Sequence, residues 1–406
     1  MAGDVSMSKE LIGAVTYAKG FSASGVRAGI KESGEDIALI VSEVPASAAG
    51  LFTTNLIKAA PVNVSQARLP RSGGRAIVAN SGNANACTGE QGMADAQKMT
   101  SLVSSLLGVD DNDVLVASTG VIGHMLPMDK IASGIEKAVN ALSPDGGMSA
   151  LRGIMTTDTR PKESWASVEI NGVEVRIGGI AKGAGMIDPN VATMLSFITT
   201  DAAITPELLD LAIRKSADVS YNCLTVDGDT STNDTVIILA NGMSGCRMID
   251  RENSDFEIFS KALDTVTIDL AKQIAADGEG ATKIVEVEVV GARSADDCKK
   301  IAKTIANSPL VKTALYGSDP NWGRVLAAAG RAGVAFDPNS VDLLFGQIKL
   351  VESGAPVPFD QAAANKYLQG QEIIIRVKVG DGPDSARVWT CDFSYDYVKI
   401  NAEYHT

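Results

Sequence analysis

Thr193 stands at a change of character in the chain. Before it runs Lys182-Gly183-Ala184-Gly185-Met186-Ile187-Asp188-Pro189-Asn190-Val191-Ala192, small, glycine-rich and broken by proline, which is loop composition. After it, Met194-Leu195-Ser196-Phe197-Ile198-Thr199-Thr200 is apolar and β-prone, the pattern of a buried strand. A threonine hydroxyl is a poor nucleophile unless a base stands beside it. A backbone cut between Ala192 and Thr193 would supply one, because a freed α-amino group titrates at about 7.7–8.0 and is substantially neutral near physiological pH. On glycine and proline placement alone, an uncut strand with Thr193 as an ordinary β-branched residue is the commoner arrangement.

Other residues have chemistry to offer. Thr119-Gly120 closes the run Val114-Leu115-Val116-Ala117-Ser118. Such a pair just past a strand can aim one hydroxyl and one N–H at a common point, as an oxyanion hole requires, although Thr-Gly is also frequent in turns. Glu279 sits between two glycines in Asp277-Gly278-Glu279-Gly280, where it faces either a cleft or solvent. Asp227-Gly228-Asp229-Thr230-Ser231 imitates the start of a calcium loop. Its sixth residue is Thr232 and its twelfth Ile238, where such a loop needs Gly and Glu, so no metal is expected. The five cysteines (87, 223, 246, 298 and 391) are scattered and odd in number, neither a disulfide framework nor a zinc site. Cys87 reads as a small core residue rather than a reactive thiol. With two histidines in the chain, a Ser-His-Asp arrangement has little to draw on, and His124 is expected to be structural.

The stretch from Lys182 to Leu195 closely resembles the self-cleavage site of the ornithine acetyltransferases, also called glutamate N-acetyltransferases, of arginine biosynthesis. Other segments similar to that family follow in order. They are Gly20-Phe21-Ser22-Ala23-Ser24-Gly25, Thr53-Thr54-Asn55, the asparagine-rich loop 80–89, the loop 222–235, Tyr316-Gly317-Ser318-Asp319-Pro320-Asn321-Trp322-Gly323-Arg324 and the tail from Tyr395. The resemblance implies self-cleavage at Ala192–Thr193 into an α chain 1–192 and a β chain 193–406, with Thr193 as nucleophile and Thr119 with Gly120 as oxyanion hole. It implies substrate contacts from Thr156, Lys182, Thr193, Glu279, Asn401 and Thr406, Lys182 meeting a carboxylate. It also implies ping-pong acetyl transfer from N-acetylornithine to glutamate, without metal or organic cofactor, in a heterotetramer of two α and two β chains. Acetyl-CoA, a donor for some family members, stays open. Two rivals remain: an N-terminal-threonine amidohydrolase or aminopeptidase that releases acyl groups to water, and a non-catalytic binding protein with an uncut chain.

The elements that must position these groups read as mixed α/β, sheets layered with helices. Short β-prone runs occupy Val15–Ala18, Gly20–Ala23 and Ile37–Val41, and Leu51–Val62 runs into another. Helical spacing marks 93–107, 131–141, 148–155, 205–216 and 256–276. Val168 to Ile180 is a hairpin turning at Asn171-Gly172, whose second strand delivers Lys182. From 284 the pattern is strand (284–290), helix (294–306), strand (310–316), helix (320–331), strand near 343–351, helix near 359–368, and strands 371–380 and 386–396. A main domain 1–283 and a smaller α/β domain 284–406 are expected, the tail returning to the site.

Composition excludes several classes. The 406 residues, 45% hydrophobic and 21% charged, can bury sizeable cores. A net charge of -13 argues against nucleic acid or anionic membrane as partner. No apolar stretch approaches the roughly 18–20 residues of a membrane span, and no signal peptide is evident, so the cytoplasm is the default.

Overall fold

Alternation of apolar residues along the strands explains how the main sheet is covered on both faces. The computed structural model of the chain describes residues 11–188 and 194–403. Among these, eight strands form one sheet: β1 (Phe21–Val26), β2 (Ile37–Phe52), β3 (Arg71–Asn83), β4 (Val114–Val121), β5 (Lys162–Ile170), β6 (Val173–Lys182), β7 (Leu195–Thr200) and β8 (Thr235–Ala240). Its order is β4-β3-β2-β8-β7-β6-β5, with β1 pairing on β2. The helices between them are α1 (Ala60–Arg68), α2 (Gly89–Leu107), α3 (Met128–Asn140), α4 (Gly147–Ile154), α5 (Pro206–Val219) and α6 (Ser254–Ala276).

Successive residues face opposite sides of a strand. Ile77 and Ala79 of β3, Leu115 and Ala117 of β4, Phe197 of β7 and Ile237 and Leu239 of β8 therefore share one inner core between the two halves of the sheet. Their neighbours Ala76, Val78, Val114 and Val116 pack under α1, α2 and α3. On the other half, Ile177, Ile198, Val236 and Ile238 pack under α5 and α6. Phe256, Phe259, Leu263, Val266, Leu270 and Ile274 recur every three or four residues along α6 and are buried, which places one long stripe on the sheet. The result is α1–α3 over one half of the sheet and α5–α6 over the other, with Ala150, Leu151 and Ile154 of α4 packed in the inner core.

A second sheet begins at Ile284. It contains β9 (Ile284–Ala292), β10 (Asp342–Phe345), β11 (Ile348–Glu352), β12 (Ala355–Pro356), β13 (Glu372–Lys378) and β14 (Asp384–Cys391), in the order β12-β11-β10-β13-β9-β14. Helices α7 (Ala295–Ala306), α8 (Pro309–Tyr316), α9 (Trp322–Gly330) and α10 (Gln361–Leu368) accompany it, and α11 (Tyr395–Glu403) follows β14. Val285, Val287 and Val289 of β9 face the core with Ile301, Ile305 and Leu315. The sheets are joined at β14, whose Trp389 and Cys391 pack into the α5–α6 core.

Several expected strands take other forms. Val15 lies in a 3-10 turn, Ala14–Thr16. The run after Leu51 ends as strand at Phe52, and Pro61 stands in the first turn of α1, where its missing N–H would have had no partner. Residues 310–316 are helical for the same reason, with Pro309 opening α8 and Val311 and Leu315 forming an i, i+4 buried pair. The stretch 343–351 is a hairpin rather than one strand, and 386–396 ends as strand at Cys391. The Asn171-Gly172 hairpin forms as expected, both residues at positive φ (52° and 78°).

Candidate active site

The ends of β4 and β6, three loops, the turn after α6 and the last helix enclose a cavity of about 280 Å³. Thr119, Gly120, Thr156, Lys182, Glu279 and Asn401 all line it. Ala192, Thr193 and Thr406 lie outside the described residues. Met194, next to Thr193 in the chain, lines a smaller recess of about 30 Å³ together with Thr119, Lys182 and Asp234.

Thr119 is held from behind by amide side chains. Ser118 donates to Asn80 Oδ1 at 2.6 Å, and Asn80 Nδ2 donates to the Asn83 carbonyl at 2.8 Å. Asn233 Nδ2 donates to the carbonyls of Ala84 (2.6 Å) and Ser118 (2.8 Å). These bonds pin two adjacent loops to the end of β4. Gly120 has φ 132°, and a Cβ there would stand 2.3 Å from the Gly82 carbonyl carbon, so the approach of β3 and β4 requires glycine.

Lys182 Nζ donates to Thr119 Oγ1 at 3.1 Å. Lys182 keeps some surface on the cavity but is surrounded by protein, and that desolvation lowers its pKa against the opposing pull of Asp158, Asp234 and Glu279. Asp158 ties this wall to the loop before β5. Its carboxylate accepts from the Thr156 N–H (2.9 Å), the Gly183 N–H (2.7 Å) and Lys162 Nζ (2.6 Å). Burial alone would raise the Asp158 carboxyl, but the two ammonium groups of Lys162 and Lys182 and these hydrogen bonds hold it at about 2. Lys162 also reaches Asp277 at 2.5 Å. Asp277 in turn binds the backbone N–H groups of Thr159 (3.0 Å) and Arg160 (3.3 Å). One buried charge network thus fixes the Thr156 loop, the end of β6 and the turn that carries Glu279.

Glu279 accepts from Asn401 Nδ2 at 2.9 Å, and its own N–H donates to the Ala184 carbonyl at 2.9 Å. It lies over Gly185, where a Cβ would come within 2.4 Å of the carboxylate. The glycine there makes room for a side chain. The tail is seated beside it: Ser394 donates to the Gly280 carbonyl at 2.6 Å, and the Phe393 and Tyr397 rings stack at 4.5 Å. The last residues of the described chain are therefore an ordered helix against the site.

Both described flanks of the Ala192–Thr193 bond are anchored. Asp188 accepts from Lys303 of α7 (2.7 Å) and from Asn307 at the end of that helix (2.9 Å), and Thr235 N–H donates to the Met194 carbonyl at 2.8 Å. Asp227, part of the false calcium loop, accepts the N–H groups of Met186 (2.6 Å) and Ile187 (2.8 Å). Asp234 is buried, its Oδ2 has no hydrogen-bond partner among the described residues, and desolvation pushes its carboxyl well above the usual range.

Sequence reasoning missed Thr157, Asp227, Asp229, Ser231, Asn233 and Tyr397 as lining residues. It also missed Asp158, Lys162 and Asp277 as the network beneath them. The available signal was the run Thr156-Thr157-Asp158-Thr159-Arg160-Pro161-Lys162, too polar for a turn next to a strand unless its charges are paired elsewhere. Cys87 corrects an expectation: it is exposed at a left-handed position (φ 59°) and not in a core, and it does not line the cavity. The exposed side chain of His124 also lies off the cavity, while its carbonyl accepts from Asn83 at 3.2 Å. Among the described residues no three His, Cys, Asp or Glu are grouped to hold a metal ion, and no helix is long and apolar enough to cross a membrane.

Comparison with known proteins bears on the whole chain. The model of the ArgJ family matches residues 22–406. An arginine biosynthesis bifunctional protein ArgJ from Symbiobacterium thermophilum is 51% identical over 399 residues, covering 98% of this chain and 99% of that one. The crystal structure of the corresponding Bacillus halodurans protein is 44% identical with a TM-score of 0.51, covering 52% of this chain and 100% of that chain. A Mycobacterium tuberculosis ornithine acetyltransferase solved with ornithine is 41% identical, covering 44% of this chain and 96% of that one, with a TM-score of 0.40.

Proposed function

The chain belongs to the ArgJ family of arginine-biosynthesis acyltransferases, and from that premise we propose that it moves an acetyl group from N-acetylornithine to glutamate through an acetyl ester on Thr193. The observation that carries this reading is the convergence of Thr119, Gly120, Thr156, Lys182, Glu279 and Asn401, drawn from distant parts of the chain, on one cavity. Lys182 and Glu279 present opposite charges to it. An amino-acid substrate has a carboxylate for the first, and ornithine has a side-chain ammonium for the second.

The chemistry follows from those groups. The neutral α-amine of Thr193, freed by cleavage after Ala192, takes the proton of its own hydroxyl as Oγ1 attacks the acetyl carbonyl. The Thr119 hydroxyl and Gly120 N–H bind the oxyanion of the tetrahedral intermediate. The C–N bond breaks, the departing amine of ornithine receives the proton, and the acetyl group remains as an ester. The α-amine of glutamate then attacks that ester, and Thr193 is restored. Residues 1–283 serve as the main domain and 284–406 as the smaller one, whose α7 and α11 reach the site. That the Bacillus halodurans chain matches over its whole length yet covers 52% of this one supports a protein made of two cleaved chains. We take the assembly to be two α and two β chains in the cytoplasm.

The test is twofold. Thr193→Ala should leave one uncut chain without transferase activity, whereas the unmodified protein should yield products 1–192 and 193–406 by intact mass. Acetyl from N-acetylornithine should appear on glutamate rather than as free acetate. Release as acetate would support the amidohydrolase, and a variant that still splits at this bond would defeat the self-cleavage mechanism. Assay with acetyl-CoA in place of N-acetylornithine decides whether that donor is also used.

A further inference from the structure

The contact between Lys182 and Thr119 sets the direction of a hydrogen atom. A hydroxyl has one donor hydrogen and two acceptor lone pairs, and an ammonium has three donors and no acceptor. With Lys182 as an ammonium, its Nζ–H occupies a lone pair of Thr119 Oγ1 across 3.1 Å, and the Thr119 hydrogen must point elsewhere. The open direction is the cavity that both residues line. A neutral amine keeps two donors but gains a lone pair, so the direction of the bond would no longer be fixed. Its lone pair can then accept the Thr119 hydrogen and remove it from the cavity.

We propose that Lys182 and Asp158 are positioning residues for Thr119: Asp158 keeps Lys182 an ammonium, and Lys182 turns the Thr119 hydroxyl hydrogen towards the reacting carbonyl oxygen. This goes beyond the carboxylate contact expected of Lys182, and it rests on the oxyanion reading of Thr119. Asp158 is suited to the task because its side chain is 0% exposed and it holds the N–H of Gly183, the residue next to Lys182, at 2.7 Å. The backbone bond keeps that negative charge beside Lys182 whatever enters the cavity. A donor that is itself polarised by an ammonium also binds an oxyanion more strongly than an isolated hydroxyl does. The other charged groups acting on Lys182 are Asp234 before β8, Glu279 after α6 and Lys162 of β5, with Lys31 from the loop between β1 and β2. Asp234 and Glu279 favour the ammonium and the two lysines oppose it. Glu279 is the member of this set expected to engage substrate, and burial pushes the Asp234 carboxyl towards its neutral form, which leaves Asp158 as the fixed counter-charge.

A double-mutant cycle with Thr119→Val and Lys182→Met tests the relay, with kcat measured at saturating N-acetylornithine and normalised to cleaved chain on a denaturing gel. Thr119→Val should lower kcat roughly 100- to 1,000-fold and Lys182→Met roughly 10- to 100-fold. If Lys182 acts through Thr119, the double variant should fall within about threefold of Thr119→Val alone. Losses that multiply would overturn the relay while leaving Thr119 in the oxyanion hole. A Thr119→Val enzyme within about threefold of the unmodified one would overturn both ideas. Asp158→Asn supplies a second, independent readout. Removing its charge lowers the pKa of Lys182, so the alkaline limb of the kcat profile should move to lower pH. A processed Asp158→Asn enzyme whose profile superimposes on the unmodified one would remove Asp158 from the proposal.

Discussion

Lys162 and Arg387 each bridge two acidic residues, and burial separates their meaning. Lys162 lies between Asp158 and Asp277, at 2.6 and 2.5 Å, with the three side chains 1%, 0% and 4% exposed. Arg387 lies between Glu286 and Glu288, at 3.4 and 3.3 Å, and is itself 58% exposed. In the first case water cannot replace a lost partner, so the ions are useful only as a complete set. In the second it can, and the pairs decorate the open face of the smaller sheet. The first network also does structural work for the cavity by joining the Thr156 loop, Gly183 and the Glu279 turn. The second joins neighbouring strands that backbone hydrogen bonds already hold.

Breaking each network should show the contrast. Lys162→Met leaves two buried carboxylates without their cation and should cost about 3–5 kcal/mol of stability by urea unfolding. A loss below about 1 kcal/mol would mean that water enters the network and that the two regions are alike.

Glu279→Gln tests whether a buried charge beside the cavity serves recognition rather than folding. It should lower kcat/KM for N-acetylornithine roughly 10- to 150-fold, equivalent to about 1.5–3 kcal/mol. An acetylated amino acid with a neutral side chain of similar length should lose much less on the same processed variant. Equal losses would assign Glu279 to chemistry or structure.

Acid sharpens the comparison further. Asp158 titrates at about 2 in the folded chain against 3.8 ordinarily. A depressed folded pKa contributes stability that is fully present above the ordinary value and is lost as pH falls towards the folded one, about 2 kcal/mol here. Unfolding measured at about pH 5 and about pH 2 should therefore show a smaller acid loss in Asp158→Asn than in the unmodified chain, by roughly that amount. Identical acid losses would show that other carboxylates govern the transition.

The smallest effect belongs to the exposed bridge. Arg387→Ala should change stability by less than about 1 kcal/mol and leave acetyl transfer unchanged, and 1 M salt should erase even that difference. A loss matching that of Lys162→Met would end the distinction between the two networks.

By itself the sequence determined what short-range physics controls. The alternation Ile284-Val285-Glu286-Val287-Glu288-Val289 specifies a strand with one buried and one charged face, and Asn171-Gly172 specifies the turn of the β5–β6 hairpin. The stripe of α6 is equally plain. Proline was informative only when its position was weighed: Pro61 and Pro309 begin helices where apolar composition alone suggested strands. The candidate cavity residues could be named from resemblance, yet their meeting could not be read from spacing. Thr119 contacts a lysine 63 residues away, and Glu279 an asparagine 122 away. The Asp158–Lys162–Asp277 network was illegible, because a charged residue in a sequence carries no sign of whether water reaches it. That depends on which distant segments close over it, and the same pairing of opposite charges that is nearly neutral at Arg387 becomes indispensable at Lys162 only once the folded sheet has excluded solvent.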